Sequence, residues 1–216
     1  MTSKKVKAHT RYKLQDDTQV PGVTTICNLL NKPALVGWAN NLGLKGIQLS
    51  KYMDELASIG NIAHEKIQCE LQGKVFDSAD FTANQLDAAL VCVDKFYAWK
   101  AEIELEPMLI EKPFISEIFK YGGTLDFYGT IKGKKTLLDW KTGAGFYEEH
   151  KIQLAANKNL LEEHGYEVEQ CMLVGIGRNK NEDTHEIVVN AMDLRFEKFK
   201  HLLDIYWIDR ELKIKK

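Results

Sequence analysis

Two aspartates lie opposite each other in a stretch that the sequence predicts to be a β-hairpin. Residues 124–131 and 134–141 are rich in β-branched and aromatic side chains, and Lys132-Gly133 between them suits a two-residue hairpin turn. Counting outward from that turn places Asp126 directly across from Asp139. Two carboxylates in directly opposed positions repel each other, so this pairing is unfavourable on its own.

A divalent cation between the two aspartates would turn this repulsion into coordination, and carboxylate oxygens suit Mg²⁺ or Mn²⁺. Because side chains alternate along a strand, Lys141 emerges on the same face as Asp139. The alternative is that both aspartates face solvent, with Lys141 as their salt-bridge partner. The spacing alone leaves both interpretations open.

The residues of this hairpin resemble the core of the PD-(D/E)xK nuclease superfamily. Residues 123–126 read Gly-Thr-Leu-Asp, and residues 138–143 read Leu-Asp-Trp-Lys-Thr-Gly. The resemblance is greatest to the RecB-like exonucleases, which include phage exonucleases and the mitochondrial genome-maintenance exonuclease. It implies that Asp126, Asp139 and the Trp140 carbonyl hold the metal and that Lys141 acts at the attacking water.

A histidine in the predicted helix over residues 58–71 is the next candidate ligand. Gly60, Ala63, His64 and Ile67 share one helix face, and a histidine on such a face is usually part of the core. Gly60-Asn-Ile-Ala-His64, however, resembles the Gly-x-x-x-His helix of the RecB-like nucleases. The resemblance implies that His64 binds the same metal.

The predicted strand over residues 108–116 contains Glu111, and members of the family often have a glutamate beside the metal at this point. The alternative is a surface edge strand, because Pro113 cannot donate a hydrogen bond to a neighbouring strand. Both interpretations of Glu111 stay open.

Gln153 lies on a predicted helix over residues 147–164 and resembles the glutamine of the family's Gln-x-x-x-Tyr helix, which lines the active site. Without the resemblance it would be a surface glutamine. The family's tyrosine is replaced by Asn157, which can hydrogen-bond to a substrate but cannot stack on a base. Thr142, next to Lys141, is a further candidate contact to the substrate.

The N-terminal part of the chain is predicted to be a helical segment over residues 21–71, after a short hairpin over residues 10–20. One helix starts at residue 23 with Thr24 or Thr25 as its cap, and Pro33 fits the first turn of the next. Trp38 is predicted to pack against the core. Stacking of Trp38 and Tyr52 on unpaired bases is the alternative.

Composition indicates an ordinary globular chain: 216 residues, 44% hydrophobic and 28% charged. A formal net charge of −2 gives no overall attraction to nucleic acid, which a non-specific binder usually exploits, and this counts against the nuclease interpretation. The sequence shows no apolar run of membrane-spanning length and no signal-peptide pattern, so we expect a cytoplasmic protein without membrane association.

The spacing of the cysteines argues against a zinc knuckle and against an iron–sulfur cluster. The four cysteines form no Cys-x-x-Cys pair, which argues against a zinc knuckle. Some relatives hold an iron–sulfur cluster with three cysteines grouped after the nuclease core, whereas only Cys171 follows the core here. We therefore expect buried free thiols and no iron–sulfur cluster.

Together these patterns predict an α/β fold with a central mixed β-sheet flanked by helices. We expect one nuclease domain over residues 1–216, with the catalytic core at 82–190 and a C-terminal helix at 192–213. The resemblance implies a metal-dependent DNA exonuclease that acts from the ends of single-stranded or end-resected DNA. Alternatives are a catalytically silent nucleic-acid-binding module, or a nuclease that acts on RNA or cuts internally.

Overall fold

The structure, a computed structural model, describes residues 10–143 and 145–214; the predicted domain of residues 1–216 extends beyond them at both ends. Seven strands and six helices make up this part of the chain. In chain order they are β1 (Tyr12–Lys13), β2 (Gln19–Val20), α1 (Val23–Cys27), α2 (Pro33–Leu44), α3 (Leu49–Leu71), α4 (Ala83–Ala101), β3 (Leu105–Ser116), β4 (Tyr121–Ile131), β5 (Lys134–Thr142), α5 (Glu148–Glu163), β6 (Gln170–Ile176), β7 (His185–Val188) and α6 (Met192–Ile214).

The centre of the fold is a five-stranded sheet in the order β3-β4-β5-β6-β7. Its neighbouring strands are antiparallel except for β5 and β6, which run parallel and are joined through α5. A mixed sheet flanked by helices is the predicted fold class, which is therefore confirmed. Among the described residues no helix is both long and apolar enough to cross a membrane.

The β4–β5 hairpin has the predicted register. Ile131 pairs with Lys134 and Phe127 with Leu138. Both turn residues have positive φ, 49° at Lys132 and 79° at Gly133, as the tight two-residue turn requires. The regular pairing ends at the Phe127–Leu138 pair, one residue short of Asp126 on β4 and of Asp139 on β5.

The sheet is covered on both faces by helices with a separate buried cluster under each. One cluster joins the sheet to α1, α5 and α6, and the other joins it to α3 and α4. Strand β4 contributes to both: Leu125 belongs to the first cluster, but Phe127, two residues on, belongs to the second. The regular alternation of side chains is therefore broken at Asp126.

The N-terminal hairpin, predicted over residues 10–20, is present as β1 and β2 and packs against β4. The ring of Tyr12 lies directly on Gly122, where a Cβ atom would overlap the ring. Its hydroxyl forms a 2.9 Å hydrogen bond with Thr124 Oγ1. Gly122 is thus required for the close approach of Tyr12 to the sheet.

Three details of the N-terminal half differ from the predictions. The N-cap of α1 is Gly22 and not Thr24 or Thr25, because the extended Gly22 bridges to Gly122 and the helix starts immediately after it. The predicted burial of Trp38 in the core is also wrong, since no residue of α2 is buried. Helix α3 begins nine residues before the predicted residue 58, because nothing in residues 49–57 breaks a helix.

Candidate active site

Buried Asp139 and half-buried Lys141 form an ion pair near the C-terminal end of β5. Lys141 Nζ lies 2.7 Å from Asp139 Oδ2 and donates a hydrogen bond to Oδ1 at 2.9 Å. Only 6% of Asp139 is exposed to solvent. The salt bridge of the alternative interpretation therefore exists, but the idea that this aspartate faces solvent is wrong.

Asp126 meets this pair from the neighbouring strand. Its Oδ2 accepts a hydrogen bond of 3.1 Å from the backbone N–H of Trp140, between Asp139 and Lys141. The same Oδ2 lies 3.9 Å from Nδ1 of His64 on α3. Asp126 therefore joins the hairpin to the helix that the sequence predicted to carry a metal ligand.

Three of the predicted ligands converge within the described residues. His64, Glu111 and Asp126 each offer a ligand atom, and these atoms lie within 4.8 Å of one another. Two oxygen ligands of one Mg²⁺ are at most about 4.2 Å apart, since each lies about 2.1 Å from the ion. An inward movement of less than about 1 Å would bring the ligand atoms of these three residues close enough to share one ion.

The backbone at Glu111 is unusual for a residue in a strand. Its φ is 50°, in the left-handed region, a conformation that costs a non-glycine residue about 1–3 kcal/mol and persists mostly at functional sites. β3 is also an edge strand of the sheet. Glu111 therefore lies on an edge strand and also within reach of His64 and Asp126, and its role as a metal ligand stays a prediction.

Electrostatics show that the two aspartates are held at an energetic cost. Burial raises the pKa of Asp126 to about 6, against the opposing effect of the Lys141 ammonium. Burial also raises the pKa of Asp139 to about 6, with Lys141 opposing and Asp126 adding to the increase. A divalent cation between the carboxylates would relieve both effects.

A buried acceptor supports the same conclusion. Although Asp139 Oδ2 lies near the ammonium, it makes no hydrogen bond among the described residues. This oxygen faces the Lys141 ammonium at 2.7 Å, and together with the partly buried Asp126 carboxylate it makes a donor set that suits a hard cation. The residues present therefore fit Mg²⁺ or Mn²⁺.

Helix α3 approaches the end of β5 very closely. A Cβ atom at Gly60 would lie 3.0 Å from Thr142 Oγ1, so a glycine here lets His64, one turn further on, reach Asp126. On the other side, the Thr142 carbonyl accepts a 2.6 Å hydrogen bond from Nη2 of Arg178. Arg178, in the turn between β6 and β7, therefore holds the end of β5 that follows Lys141.

The first turns of α5 form the other wall of the site. Glu149 makes a 2.8 Å ion pair with Lys32, the N-cap residue of α2. Gln153 is half-buried and, by helical spacing, shares a face with Glu149 and Asn157. Asn157 is 5% exposed, and its amide oxygen lies against Gly123 of β4. It is therefore buried against the sheet, whereas a residue that contacts substrate must be accessible.

His150, in the first turn of α5, is a site residue that the sequence did not reveal. Burial lowers the pKa of His150 to about 4, and the ammonium groups of Lys141 and Lys32 add to the decrease. Its Nδ1 accepts a hydrogen bond of 3.3 Å from the backbone N–H of Tyr147. Protonation at Nδ1 would break this bond, so the ring is held neutral although Glu149 Oε1 lies 3.8 Å from Nε2.

Because this pKa is lower in the folded than in the unfolded chain, we expect His150 to make the protein acid-sensitive. Below about pH 6.5 the unfolded chain binds the proton, whereas the folded chain does so only near pH 4. The free energy of unfolding should therefore fall by up to about 3 kcal/mol across that interval. His150→Gln keeps an acceptor for the N–H of Tyr147 and should make the free energy of unfolding depend less on pH. Chemical denaturation at several pH values, with EDTA present, measures this dependence. The same dependence in wild type and variant would contradict the assignment.

Trp38 and Tyr52 lie together on the arm formed by α2 and the first half of α3. Their ring centroids are 6.1 Å apart with a 46° angle between the planes, and both residues are half-buried. Apolar side chains around them are exposed to solvent. These are Leu35, Val36, Leu44, Ile47, Leu49 and Met53.

Comparison with solved structures shows likenesses in fold, whereas the sequence comparisons found none. No family model and no curated protein sequence matches the chain. The "Putative exonuclease" of Eubacterium rectale has a similar structure: the TM-score is 0.52 at 14% identity, over 73% of this chain and 67% of that one. At this identity the likeness shows a shared fold.

The alkaline exonuclease (LHK-Exo) from Laribacter hongkongensis is a more distant likeness. Its structure gives a TM-score of 0.40 at 12% identity, over 72% of this chain and 80% of that one. The structure of LHK-Exo in complex with dAMP gives 0.41 at 11%, over the same shares of the two chains. TM-scores this low support no conclusion about this chain.

Proposed function

We propose that this chain is a metal-dependent DNA exonuclease of the RecB-like branch of the PD-(D/E)xK superfamily. The observation that carries the proposal is the Asp139–Lys141 ion pair with Asp126 bonded to the backbone between them. His64 and Glu111 lie near Asp126, and the family resemblance implies that both are beside the metal. The shared fold supports the same class of activity.

The residues divide the work of phosphodiester hydrolysis between them. Asp126, Asp139, His64 and the Trp140 carbonyl would hold the metal, with Glu111 at its edge. When bound, Mg²⁺ or Mn²⁺ would polarise the scissile phosphate and lower the pKa of a water molecule. Gln153, on the face of α5 that begins with Glu149, would orient the reactants.

Lys141 carries an ammonium group between two carboxylates in the metal-free chain. Burial alone would lower its pKa, but the charges of Asp139 and Asp126 more than reverse this effect and raise the pKa. We therefore assign Lys141 to positioning the attacking water and to offsetting the negative charge that builds on the phosphate. A cation held by Asp126 and Asp139 would reduce this increase in the pKa of Lys141, which is therefore also the candidate to deprotonate the water.

The arm of α2 and α3 would contact the DNA strand. It is tied to the two walls of the site, through Gly60 at β5 and through the Lys32–Glu149 ion pair at α5. Its exposed apolar surface and the Trp38–Tyr52 pair suit unstacked bases without sequence preference. The partner is thus DNA with a single-stranded end. Thr142 lies where the arm meets the C-terminal end of β5.

The decisive test is incubation of end-labelled single- and double-stranded DNA with and without Mn²⁺. We expect release of labelled nucleotides only with the metal, and no release in EDTA. Intact DNA despite tight DNA and metal binding would make the chain a silent binding module. Hydrolysis of RNA but not of DNA would replace the proposed substrate.

The metal site has its own test, in which His64→Ala weakens Mn²⁺ binding more than it weakens the fold. Calorimetric titration should show a loss of affinity of more than about tenfold, a typical loss when a metal site is disturbed. The melting temperature should fall only moderately, because the variant leaves one buried indole N–H unpaired. Equal affinities with a large fall in melting temperature would return His64 to a purely structural role.

A further inference from the structure

The side chain of Trp140 points away from Asp139 and Lys141, into the cluster between the sheet and helices α3 and α4. It is fully buried, and its ring packs edge-on against Phe96 with centroids 5.5 Å apart. Its Nε1–H donates a hydrogen bond of 2.9 Å to Nδ1 of His64. The residue between the two parts of the Asp-x-Lys motif thus contacts the candidate ligand on α3.

This hydrogen bond determines where the proton of a neutral His64 lies. An indole nitrogen can only donate, so the imidazole nitrogen that faces it must offer a lone pair. Nδ1 is therefore unprotonated, and the proton of the neutral ring is on Nε2. Turning the ring over would place Cδ2–H against the indole N–H, so the packing around Trp140 enforces this orientation.

The same nitrogen also lies beside one of the candidate metal ligands. Nδ1 of His64 lies 3.9 Å from Asp126 Oδ2, within the span that two ligands of one ion can have. A metal ligand must also offer a lone pair. One nitrogen cannot accept the indole proton and coordinate a cation at the same time.

We propose that Trp140 is a positioning residue that holds His64 through Nδ1 and competes with a divalent cation for that nitrogen. The inference rests on the proposed metal site. Because Trp140 is fully buried, an indole N–H released by the imidazole has no water to bind. Leaving such a donor unpaired lowers the affinity for the cation by about tenfold, so Trp140 raises the metal concentration at which the site fills.

Trp140→Phe tests the competition because it keeps an aromatic ring but removes the N–H. Calorimetric titration with Mn²⁺ alone should show affinity increased about tenfold over the wild-type chain. In a His64→Ala background the same substitution should change nothing. Trp99→Phe is the matched control: its indole donates to Glu186 on β7 and should not affect metal binding.

A spectroscopic measurement on the wild-type chain keeps the proposal testable if the Phe variant folds poorly. Nitrogen-15 spectra should show the Nε2–H tautomer of His64 without metal, and the Trp140 indole resonance should shift as Mg²⁺ saturates. If Mg²⁺ binds and this resonance does not move, the inference about Trp140 is overturned while the proposed function stands. The same holds if a folded Trp140→Phe variant binds the metal with unchanged or weaker affinity. Failure of the wild-type chain to bind any divalent cation overturns the proposed function as well.

Discussion

Asp139→Asn and Lys141→Ala are each expected to reduce DNA cleavage by about a thousandfold or more. Asn offers a neutral oxygen where the site presents a buried carboxylate, and so it holds a divalent cation poorly. Lys141→Ala removes the ammonium that lies 2.7 Å from that carboxylate. The measurement is the initial rate of nucleotide release from labelled single-stranded DNA at saturating Mn²⁺.

Folding must be measured alongside, because the two substitutions act on an ion pair with a buried carboxylate. Asp139→Asn removes one of two close negative charges, so the metal-free variant should retain a cooperative unfolding transition. Lys141→Ala leaves Asp139 without its ion partner, which typically costs about 3–5 kcal/mol, and the assay must run well below its melting temperature.

Lys135→Ala is the matched control for these variants. It removes a lysine from the same strand, but one that is 46% exposed and paired with Glu167 at the surface. It should retain wild-type cleavage. Near-normal turnover by a folded Asp139→Asn or Lys141→Ala variant would overturn the assignment of the site.

Local signals in the sequence were sufficient to predict the hairpin and the common face of Asp139 and Lys141. The turn at Lys132-Gly133 fixes the register, and the register with the alternation of side chains brings Asp139 and Lys141 to one face. None of this depends on distant parts of the chain. The helix that carries His64 was predicted in the same way, from spacing along one face.

The rest of the site depends on contacts between segments that are distant in sequence. The break in alternation at Asp126 accompanies a left-handed backbone at Glu111 on the next strand, and no sequence pattern marks it. His150 and Arg178 reach the site through the positions of α5 and of the turn after β6. Their surroundings exist only once the sheet is assembled, and so periodicity could not reveal them.

Trp38 shows how the same limit affects an aromatic residue. A tryptophan at helical spacing with leucines predicts a core position, yet none of α2 is buried. The helix is anchored at its start by the Lys32–Glu149 ion pair and contacts α3 through the Trp38–Tyr52 pair. Its apolar face is therefore available to a ligand.

Degradation from strand ends is the second large effect that we predict. The Gly60–Thr142 contact and the Lys32–Glu149 ion pair place the α2–α3 arm beside β5 on one side and α5 on the other. An arm tied at both walls would let a free single strand thread towards Lys141 but would exclude a continuous strand. Nothing in the described residues resembles a base-reading helix, so access and not sequence should select the substrate.

We therefore expect linear single-stranded DNA to be consumed while a covalently closed circle of the same sequence stays intact. The matched substrate is the same circle opened by one cut, at equal nucleotide concentration and with Mn²⁺.

Trp38→Ala should slow the linear reaction by loss of base stacking, worth about 1–3 kcal/mol per base, without opening the circle to attack. Lys141→Ala protein, prepared identically, controls for contaminating endonuclease. Rapid loss of the circle by the wild-type chain but not by Lys141→Ala would reject threading and make the enzyme an endonuclease.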